Sequence, residues 1–326
     1  MKLPPHFHSN LMDIVVDLEA DLASATGLEM RQKLEELKKA IVSIGIKTQA
    51  PSGHFYSPVV NPNSLGNYYS RRWETRKNRL AAPNVDISKM VPLWEAFLPY
   101  MKNYPFQNEK TYDQRYFLRN NYYGISDASI LVGILNHFEP ARYFEIGSGF
   151  SSALALDVAE RADWDMEFRF VEPYPDVRLN SLLSEEDRRR TTIEQCFVQD
   201  IPLSWFRELA ANDILFIDST HVAKSGSDVI YLYLEILNNI AEGVIVHVHD
   251  IFFPFEYPPN WVLKDNRSWN EAYMLEAFLK GNENFEVLFF NDAFGLHERE
   301  LVERTYPAYL NSGGITGGSV WLKKVK

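Results

Sequence analysis

Short apolar runs and longer amphipathic segments alternate through the second half of the chain. Five short runs have the length and composition of buried strands: 142–146, 167–172, 192–198, 213–218 and 243–249. Helical patterns lie between them, which predicts an α/β fold with a parallel sheet. Two more strands are predicted at 285–290 and 319–323, with a short helix near 298–304. We therefore expect a seven-stranded, mostly parallel sheet whose last strand is antiparallel.

The first 120 residues have a different pattern. Residues 10–45 keep the three-and-four spacing of amphipathic helices, which favours packing on the protein's own core over an oligomer seam. Residues 50–110 are rich in proline and aromatic residues, and the stretches 54–58 and 67–73 are predicted to be ordered loops. Such loops form either a substrate wall or a packed cap. We predict a helical and aromatic-loop cap over 1–120 and a sheet domain over 121–326.

The stretch 142–152 contains a glycine turn between a strand and a helix. Glu145 precedes Gly147 and Gly149 in an acid-x-Gly-x-Gly pattern. Glycines allow a tight turn and a close approach of ligand, and the free N–H groups of the next helix point to the same place. Ser148 and Ser151 add hydroxyl groups there, so the turn is predicted to bind a nucleoside cofactor.

Acids stand at the ends of the other predicted strands. Glu172 follows the second strand, and its carboxylate could accept hydrogen bonds from both hydroxyls of a ribose. Asp200 follows the third strand and could accept from an adenine amino group, while Asp218 ends the fourth. Ligands of open α/β sheets bind at this edge. Each acid has a structural alternative: Asp200 could cap the next helix, and Glu172 could pair with Arg178.

The fourth and fifth strands carry the candidate chemistry. Asp218 and Asp250 are expected to converge because neighbouring strands lie about 4.8 Å apart. Two close carboxylates favour a cation between them, and His249 would complete a site for Mg²⁺ or another divalent ion. His221 is a candidate general base for removing a hydroxyl proton, or else a structural loop histidine. In the aromatic loop after Asp250, Tyr257 and Trp261 could stack on an acceptor or pack in the core.

Composition excludes several classes of function. A net charge of -11 without a basic stripe argues against nucleic acid as the main partner. The single cysteine, Cys196, lies in a predicted strand, excludes an internal disulfide and fits a reducing compartment. The chain shows neither a signal peptide nor an apolar span long enough for a membrane, so a cytoplasmic protein is expected. The oligomeric state stays open, with a homo-oligomer as one alternative.

These motifs resemble those of the class I S-adenosylmethionine (SAM) methyltransferases, over about residues 120 to 326. The acid-x-Gly-x-Gly turn, the acids after the second and third strands and the antiparallel ending carry the resemblance. It implies a Rossmann-like SAM-binding domain at 121–326. Ser151 stands where many relatives have a third glycine. Asp218 with His249-Asp250 is similar to the acids of metal-dependent O-methyltransferases of the catechol and antibiotic-sugar types.

The resemblance implies SAM as cofactor and the hydroxyl of a sugar, glycan or small metabolite as methyl acceptor. An NAD-linked oxidoreductase is the first alternative, although it would favour a third glycine near Ser152. A non-catalytic methyltransferase-like binding module is the second. Binding of SAM or of NAD would distinguish a methyltransferase from an oxidoreductase. Turnover would distinguish a methyltransferase from a non-catalytic module.

Overall fold

The computed structural model describes residues 50, 52–78, 85–310 and 316–326. The chain divides into two compact units, Met1–Val59 and Val60–Lys326. The helices predicted over 10–45 lie outside the described residues. The predicted division at residue 120 stays a prediction, and the compact unit that contains the sheet begins earlier, at Val60.

The second unit is built on one seven-stranded sheet. Its strands are β1 (Arg142–Ile146), β2 (Glu167–Val171), β3 (Thr191–Glu194), β4 (Ile214–Ile217), β5 (Ile245–His249), β6 (Phe285–Phe290) and β7 (Ser319–Lys324). Their order across the sheet is β3-β2-β1-β4-β5-β7-β6. The first five strands are parallel, and β7 runs antiparallel to both β5 and β6. The predicted seven-stranded sheet with an antiparallel last strand is confirmed.

The central strands are buried on both faces because helices cover both sides of a parallel sheet. Every residue of β4 and of β5 is buried. The edge strand β3 is shorter than the predicted 192–198 and ends at Glu194. Its pairing partner β2 ends at Val171, opposite Glu194, so the later residues have no strand to pair with. Cys196 therefore lies outside the strand, partly buried against the core.

Helices surround the sheet. In chain order they are α1 (Pro62–Glu74), α2 (Ile87–Asn103), α3 (Ile125–Phe138), α4 (Phe150–Arg161), α5 (Leu179–Leu182), α6 (Glu185–Arg190), α7 (Leu203–Phe206), α8 (Asp228–Tyr231), a π-helical turn (Leu232–Ile236), α9 (Leu237–Asn239), α10 (Pro259–Leu263), α11 (Glu271–Leu279), α12 (Asn291–His297) and α13 (Arg299–Thr305). Short 3₁₀ turns lie at Arg76–Asn78, Pro175–Val177, Val198–Asp200 and Pro307–Tyr309. Among the described residues, no helix is long and apolar enough to cross a membrane.

The aromatic tract before residue 110 is more helical than its composition suggested. The stretch 67–73, predicted as a loop, lies within α1, which Asn61 caps and Pro62 begins. Helix α2 accommodates two internal prolines. Its buried face contributes Trp94 and Phe97 to the core shared with the sheet. The turn-forming composition of this tract therefore marks helix ends and kinks rather than long loops.

A charged cluster joins the segment before α3 to α4 and α6. The guanidinium of Arg115 contacts Asp187 through two bonds of 2.7 and 2.8 Å, Asp157 at 2.8 Å and Glu160 at 2.6 Å. Asp157 also accepts the backbone N–H groups of Arg115 and Tyr116. Asp157 and Asp187 are buried, and Arg115 is the cation that both of them contact, while Arg190 adds a second contact to Asp187 at 3.2 Å.

Candidate active site

The glycine turn after β1 brings the backbones of two neighbouring strands into close contact. Gly147 has φ 81° and lies so near β4 that a Cβ atom there would be 1.9 Å from the carbonyl oxygen of Asp218. The Gly147 N–H donates to Val171, at the end of β2. Any side chain at 147 would separate the strand ends, so the glycine is needed for the geometry of the site.

The acid of the glycine motif, Glu145, is turned away from the cavities at the strand ends. Its carboxylate is fully buried and accepts the hydroxyls of Ser151 and, at 2.6 Å, Ser152. Ser151 therefore donates to Glu145, and neither residue lines the cavities described below. Burial raises the pKa of Glu145 to about 8, despite the two hydroxyl donors. Glu145 therefore stabilises the glycine turn through Ser151 and Ser152 and does not line either cavity.

We expect Glu145 to make the protein less stable as pH rises from about 4.5 to about 8. Its carboxyl is protonated in the folded state over this range and ionised in the unfolded state, since its folded pKa is about 8 and its ordinary value 4.5. The slope from this group is about 1.4 kcal/mol per pH unit. Glu145→Gln keeps a neutral group of the same shape and should remove that slope, measured as urea unfolding free energy against pH. Exposed Glu300 supplies the control Glu300→Gln, and a parallel pH dependence in wild type and Glu145→Gln would contradict the assignment.

A cavity of about 430 Å³ opens beside the ends of β1, β2 and β4. Glu172 lines it, and its carboxylate is held at 2.8 Å by the backbone N–H of Tyr174. Burial raises the pKa of Glu172. The predicted pair with Arg178 is not among the ion pairs of the described residues. Instead, the Arg178 guanidinium lies 3.8 Å from the ring centre of Tyr122.

The structure places Gln199, rather than Asp200, in the wall of this cavity. Asp200 is exposed at the end of a 3₁₀ turn and does not line the cavity. Gln199 donates to the backbone of Gly226 through Nε2, and its buried Oε1 has no hydrogen-bond partner among the described residues. An unpaired buried acceptor is costly unless a ligand completes it. The sequence pointed to the neighbouring acid because a carboxylate is the stronger signal.

A second cavity, of about 610 Å³, adjoins the first and shares Gly147, Glu172 and Asp218 with it. Asp218, His221 and Asp250 each place a ligand atom so that the atoms lie within 4.8 Å of one another. His221 Nε2 is 3.4 Å from an oxygen of Asp218 and 3.4 Å from one of Asp250. The convergence expected from the neighbouring strands is therefore observed. Two of these residues, His221 (φ 60°) and Asp250 (φ 57°), have left-handed backbone conformations, which are frequent at functional sites.

A buried acid that the sequence did not reveal holds His221. Glu271, at the start of α11, accepts from Ser219 at 2.7 Å and lies 2.8 Å from His221 Nδ1. This contact directs Nε2 toward the two aspartates. Glu271 is fifty residues from His221 in sequence and stands in an ordinary helical pattern, so nothing in the sequence signals it.

His249, predicted as a metal ligand, lies beside the cluster. Its Nε2 is 3.7 Å from Asp250, while its Nδ1 lies 3.3 Å from both Ser319 and His247. In the three-residue cluster, His221 occupies the position that the sequence predicted for His249. His247 is stacked on Phe216 with ring centres 3.7 Å apart, and the internal packing predicted for it is observed.

The electrostatics of the cluster are those of a cation site. Burial alone would lower the pKa of His221, but Asp218, Glu271 and Asp250 raise it well above its usual value. Burial raises the pKa of Asp250. Burial opposes ionisation of Asp218 as well, but His249 and His221 hold its pKa below the usual value. The site therefore binds positive charge between its carboxylates, as either a proton on imidazole or a metal ion.

Aromatic side chains form the outer wall of the second cavity. Trp261 and Trp269 line it together with Arg267. Tyr257, the other predicted stacking residue, is buried in the core and accepts the backbone N–H of Ala272 through its hydroxyl. Of the two predicted aromatic contacts, only Trp261 is placed at the site.

Sheet order, glycine turn and acids at the strand ends are the features of a class I methyltransferase domain. A family model described as a methyltransferase domain matches residues 144–251. An uncharacterised protein of Archaeoglobus fulgidus is 34% identical over 174 residues, which cover 50% of this chain and 75% of that protein. The chain belongs to the class I SAM-dependent methyltransferase family.

Solved structures share the overall arrangement more loosely. The Podospora anserina methyltransferase PaMTH1, bound to S-adenosylhomocysteine, is 13% identical, covers 86% of this chain and 100% of its own, and has a TM-score of 0.43. The plantazolicin methyltransferase BpumL, also bound to S-adenosylhomocysteine, is 9% identical over 82% of this chain and 95% of its own, with a TM-score of 0.38.

Proposed function

We propose that this protein transfers the methyl group of SAM to a hydroxyl oxygen of a small acceptor, a sugar, a glycan unit or another metabolite. The observation that carries the proposal is the cluster of Asp218, His221 and Asp250 in a cavity that adjoins the cavity of Glu172. One cavity suits a nucleoside and the other a hydroxyl group, and shared lining residues, among them Glu172 and Asp218, connect them. Both volumes fall in the range of small-molecule sites.

The cofactor side of the proposal rests on polar groups that the protein leaves unpaired. Ser148 Oγ and Gln199 Oε1 are buried without a partner among the described residues, and each lines one of the two cavities. Glu172, which lines both cavities, can accept from two ribose hydroxyls. Bound SAM supplies a sulfonium-linked methyl group, which is electrophilic. The residues present fit a nucleoside with polar groups along its length.

The proposed binding of the methyl acceptor rests on the side chains that could hold a metal ion. Asp218, Asp250 and His221 Nε2 would hold a divalent cation, and imidazole beside two carboxylates suits manganese or zinc better than magnesium. Such an ion lowers the pKa of a bound hydroxyl. Glu271 fixes the proton of His221 on Nδ1, which is the usual arrangement behind a metal-ligating histidine. Without the ion, the same Nε2 can take the acceptor's proton as a general base.

Calorimetric titration with S-adenosylhomocysteine tests the cofactor, with NAD⁺ titrated in parallel. We expect micromolar binding of the first and none of the second. Binding of NAD⁺ alone would support the oxidoreductase reading. Binding of S-adenosylhomocysteine without methyl transfer to any acceptor would support the non-catalytic module.

Glu172→Gln should weaken S-adenosylhomocysteine binding by about 2–4 kcal/mol, since an ionised bidentate acceptor is lost. The same titration measures it. Glu194→Gln, at the end of the neighbouring strand and outside the cavity, is the matched control. Unchanged affinity in Glu172→Gln would remove the ribose assignment. Asp200→Asn tests the predicted adenine contact, and we expect unchanged affinity because Asp200 is exposed and does not line the cavity.

A further inference from the structure

The outer wall of the second cavity carries a positive charge between two indole rings. The Arg267 guanidinium carbon is 4.1 Å from the ring centre of Trp261 and 4.8 Å from that of Trp269. The two indoles pack edge to face with centres 5.4 Å apart. Contact with both rings restricts the guanidinium, so less side-chain entropy remains to be lost when it binds a ligand.

Arg267 is poorly paired within the protein. In the described part of the chain its one ion-pair partner is Asp265, at 3.5 Å and with half of its side chain exposed. The cluster around Arg115 shows the contrast, with guanidinium contacts of 2.6 to 2.8 Å to three carboxylates. Arg267 is therefore a cavity-lining arginine whose guanidinium can form a bidentate contact with an anionic ligand.

Arg267 lies close to the reacting groups. The ring of Trp269 that it contacts is also 4.3 Å from the imidazole of His221. Arg267, His221, Asp218 and Asp250 all line the same cavity. One small molecule can thus contact the carboxylate cluster at one end and the guanidinium at the other.

We propose that the methyl acceptor carries an anionic oxygen group, a carboxylate or a phosphate, which Arg267 binds while the hydroxyl lies at Asp218 and Asp250. This inference rests on the proposed function and narrows its substrate class. The carboxylates of the cluster repel an anion and the guanidinium attracts it, so the charge pattern admits one orientation of such an acceptor. The flat indoles beside Arg267 provide a surface for the ring that links the two groups.

Binding to the protein saturated with S-adenosylhomocysteine and Mn²⁺ tests the proposal. Two pairs of probes differ in one carboxylate: methyl glucoside against methyl glucuronide, and catechol against 3,4-dihydroxybenzoate. Glucose 6-phosphate distinguishes phosphate from carboxylate as the preferred anion. Indole fluorescence reports the titrations, because Trp261 and Trp269 line the site. We expect the anionic member of at least one pair to bind about 10- to 100-fold more tightly, as for a charged hydrogen-bonded pair.

Variants assign the preference to a residue. Arg267→Met should abolish it and leave S-adenosylhomocysteine affinity unchanged, and Arg267→Lys should retain part of it. Arg299→Met, an exposed arginine paired with Glu303, is the matched control. Arg178 is the other cation of the cavity, and loss of the preference in Arg178→Met but not in Arg267→Met would contradict the assignment.

The two proposals fail in different ways. If S-adenosylhomocysteine does not bind, the proposed function fails. If it binds while anionic and neutral probes bind equally, or none of them binds, the anionic acceptor is excluded and the cofactor part of the proposed function stands.

Discussion

His221→Asn is expected to lower methyl transfer by about 10²- to 10⁴-fold while S-adenosylhomocysteine affinity is kept. His221 Nε2 lies 3.4 Å from both Asp218 and Asp250, and His221 does not line the cofactor cavity. Asparagine tolerates the left-handed backbone conformation at this position. The measurement is S-adenosylhomocysteine release with the acceptor that gives wild type its highest rate. Full activity of the variant would remove His221 from the chemistry.

The binding of Mn²⁺ separates the two roles open to His221. If Nε2 is a ligand, His221→Asn should lose Mn²⁺ affinity together with Asp250→Asn, as measured by the electron paramagnetic resonance of the free ion. If Nε2 is only a base, His221→Asn should keep the ion and lose turnover alone. His137→Asn, at the exposed end of α3, is the control for a histidine remote from the cavities. Because Glu271 is buried and loses its partner, unfolding curves must show that the variant remains folded.

The strands could be predicted because their signal is local. The apolar runs at 142–146 and 285–290 coincide with β1 and β6. The end of β3 could not be predicted in the same way, because it depends on where β2 stops, across the sheet. Likewise α12 follows β6 directly, whereas the sequence predicted only a short helix near 298–304 in this region. Short elements fixed by tertiary packing carry little periodicity of their own.

In the site, too, some features could be predicted from the sequence and others depend on tertiary packing. The acids at the ends of β4 and β5 follow from topology, since parallel strands place their carboxyl ends at one edge. Topology does not tell whether His221 or His249 joins the two aspartates, because that depends on how each histidine side chain is held. His249 is the last residue of β5, and its imidazole is held between Ser319 and His247. His221 lies in a loop whose orientation is set by Glu271, from a helix fifty residues later.

Arg115→Met is expected to reduce the free energy of unfolding by about 3–5 kcal/mol, the cost of leaving buried carboxylates without their cation. The methionine keeps the apolar stem, so the change isolates the charge. The loss should fall toward the lower end of the range. Asp157 keeps two backbone donors, and Asp187 keeps Ser184 and Arg190. The half-exposed Glu160 keeps Arg190 and can turn to water. Urea unfolding near neutral pH measures the difference.

Arg119→Met is the matched control for Arg115→Met. Arg119 lies four residues along the same segment and pairs with Glu109 at 2.7 Å, but both side chains are largely exposed. An exposed pair contributes about 0–1 kcal/mol, so this variant should unfold almost as wild type does. If the two variants lost similar amounts of unfolding free energy, burial would not be the reason why the Arg115 cluster stabilises the protein.

The acid side of the stability curve gives an independent check on the Arg115 cluster. Although burial opposes its ionisation, Arg115 holds the pKa of Asp187 at about 2, below its ordinary value of 3.8. A lowered folded pKa contributes stability that is present above pH 3.8 and lost as pH falls toward 2. Arg115→Met removes the cation that lowers this pKa, so the gap between wild type and variant should narrow over that range. A gap that stays constant with pH would show that Arg115 stabilises the fold by packing rather than by its charge.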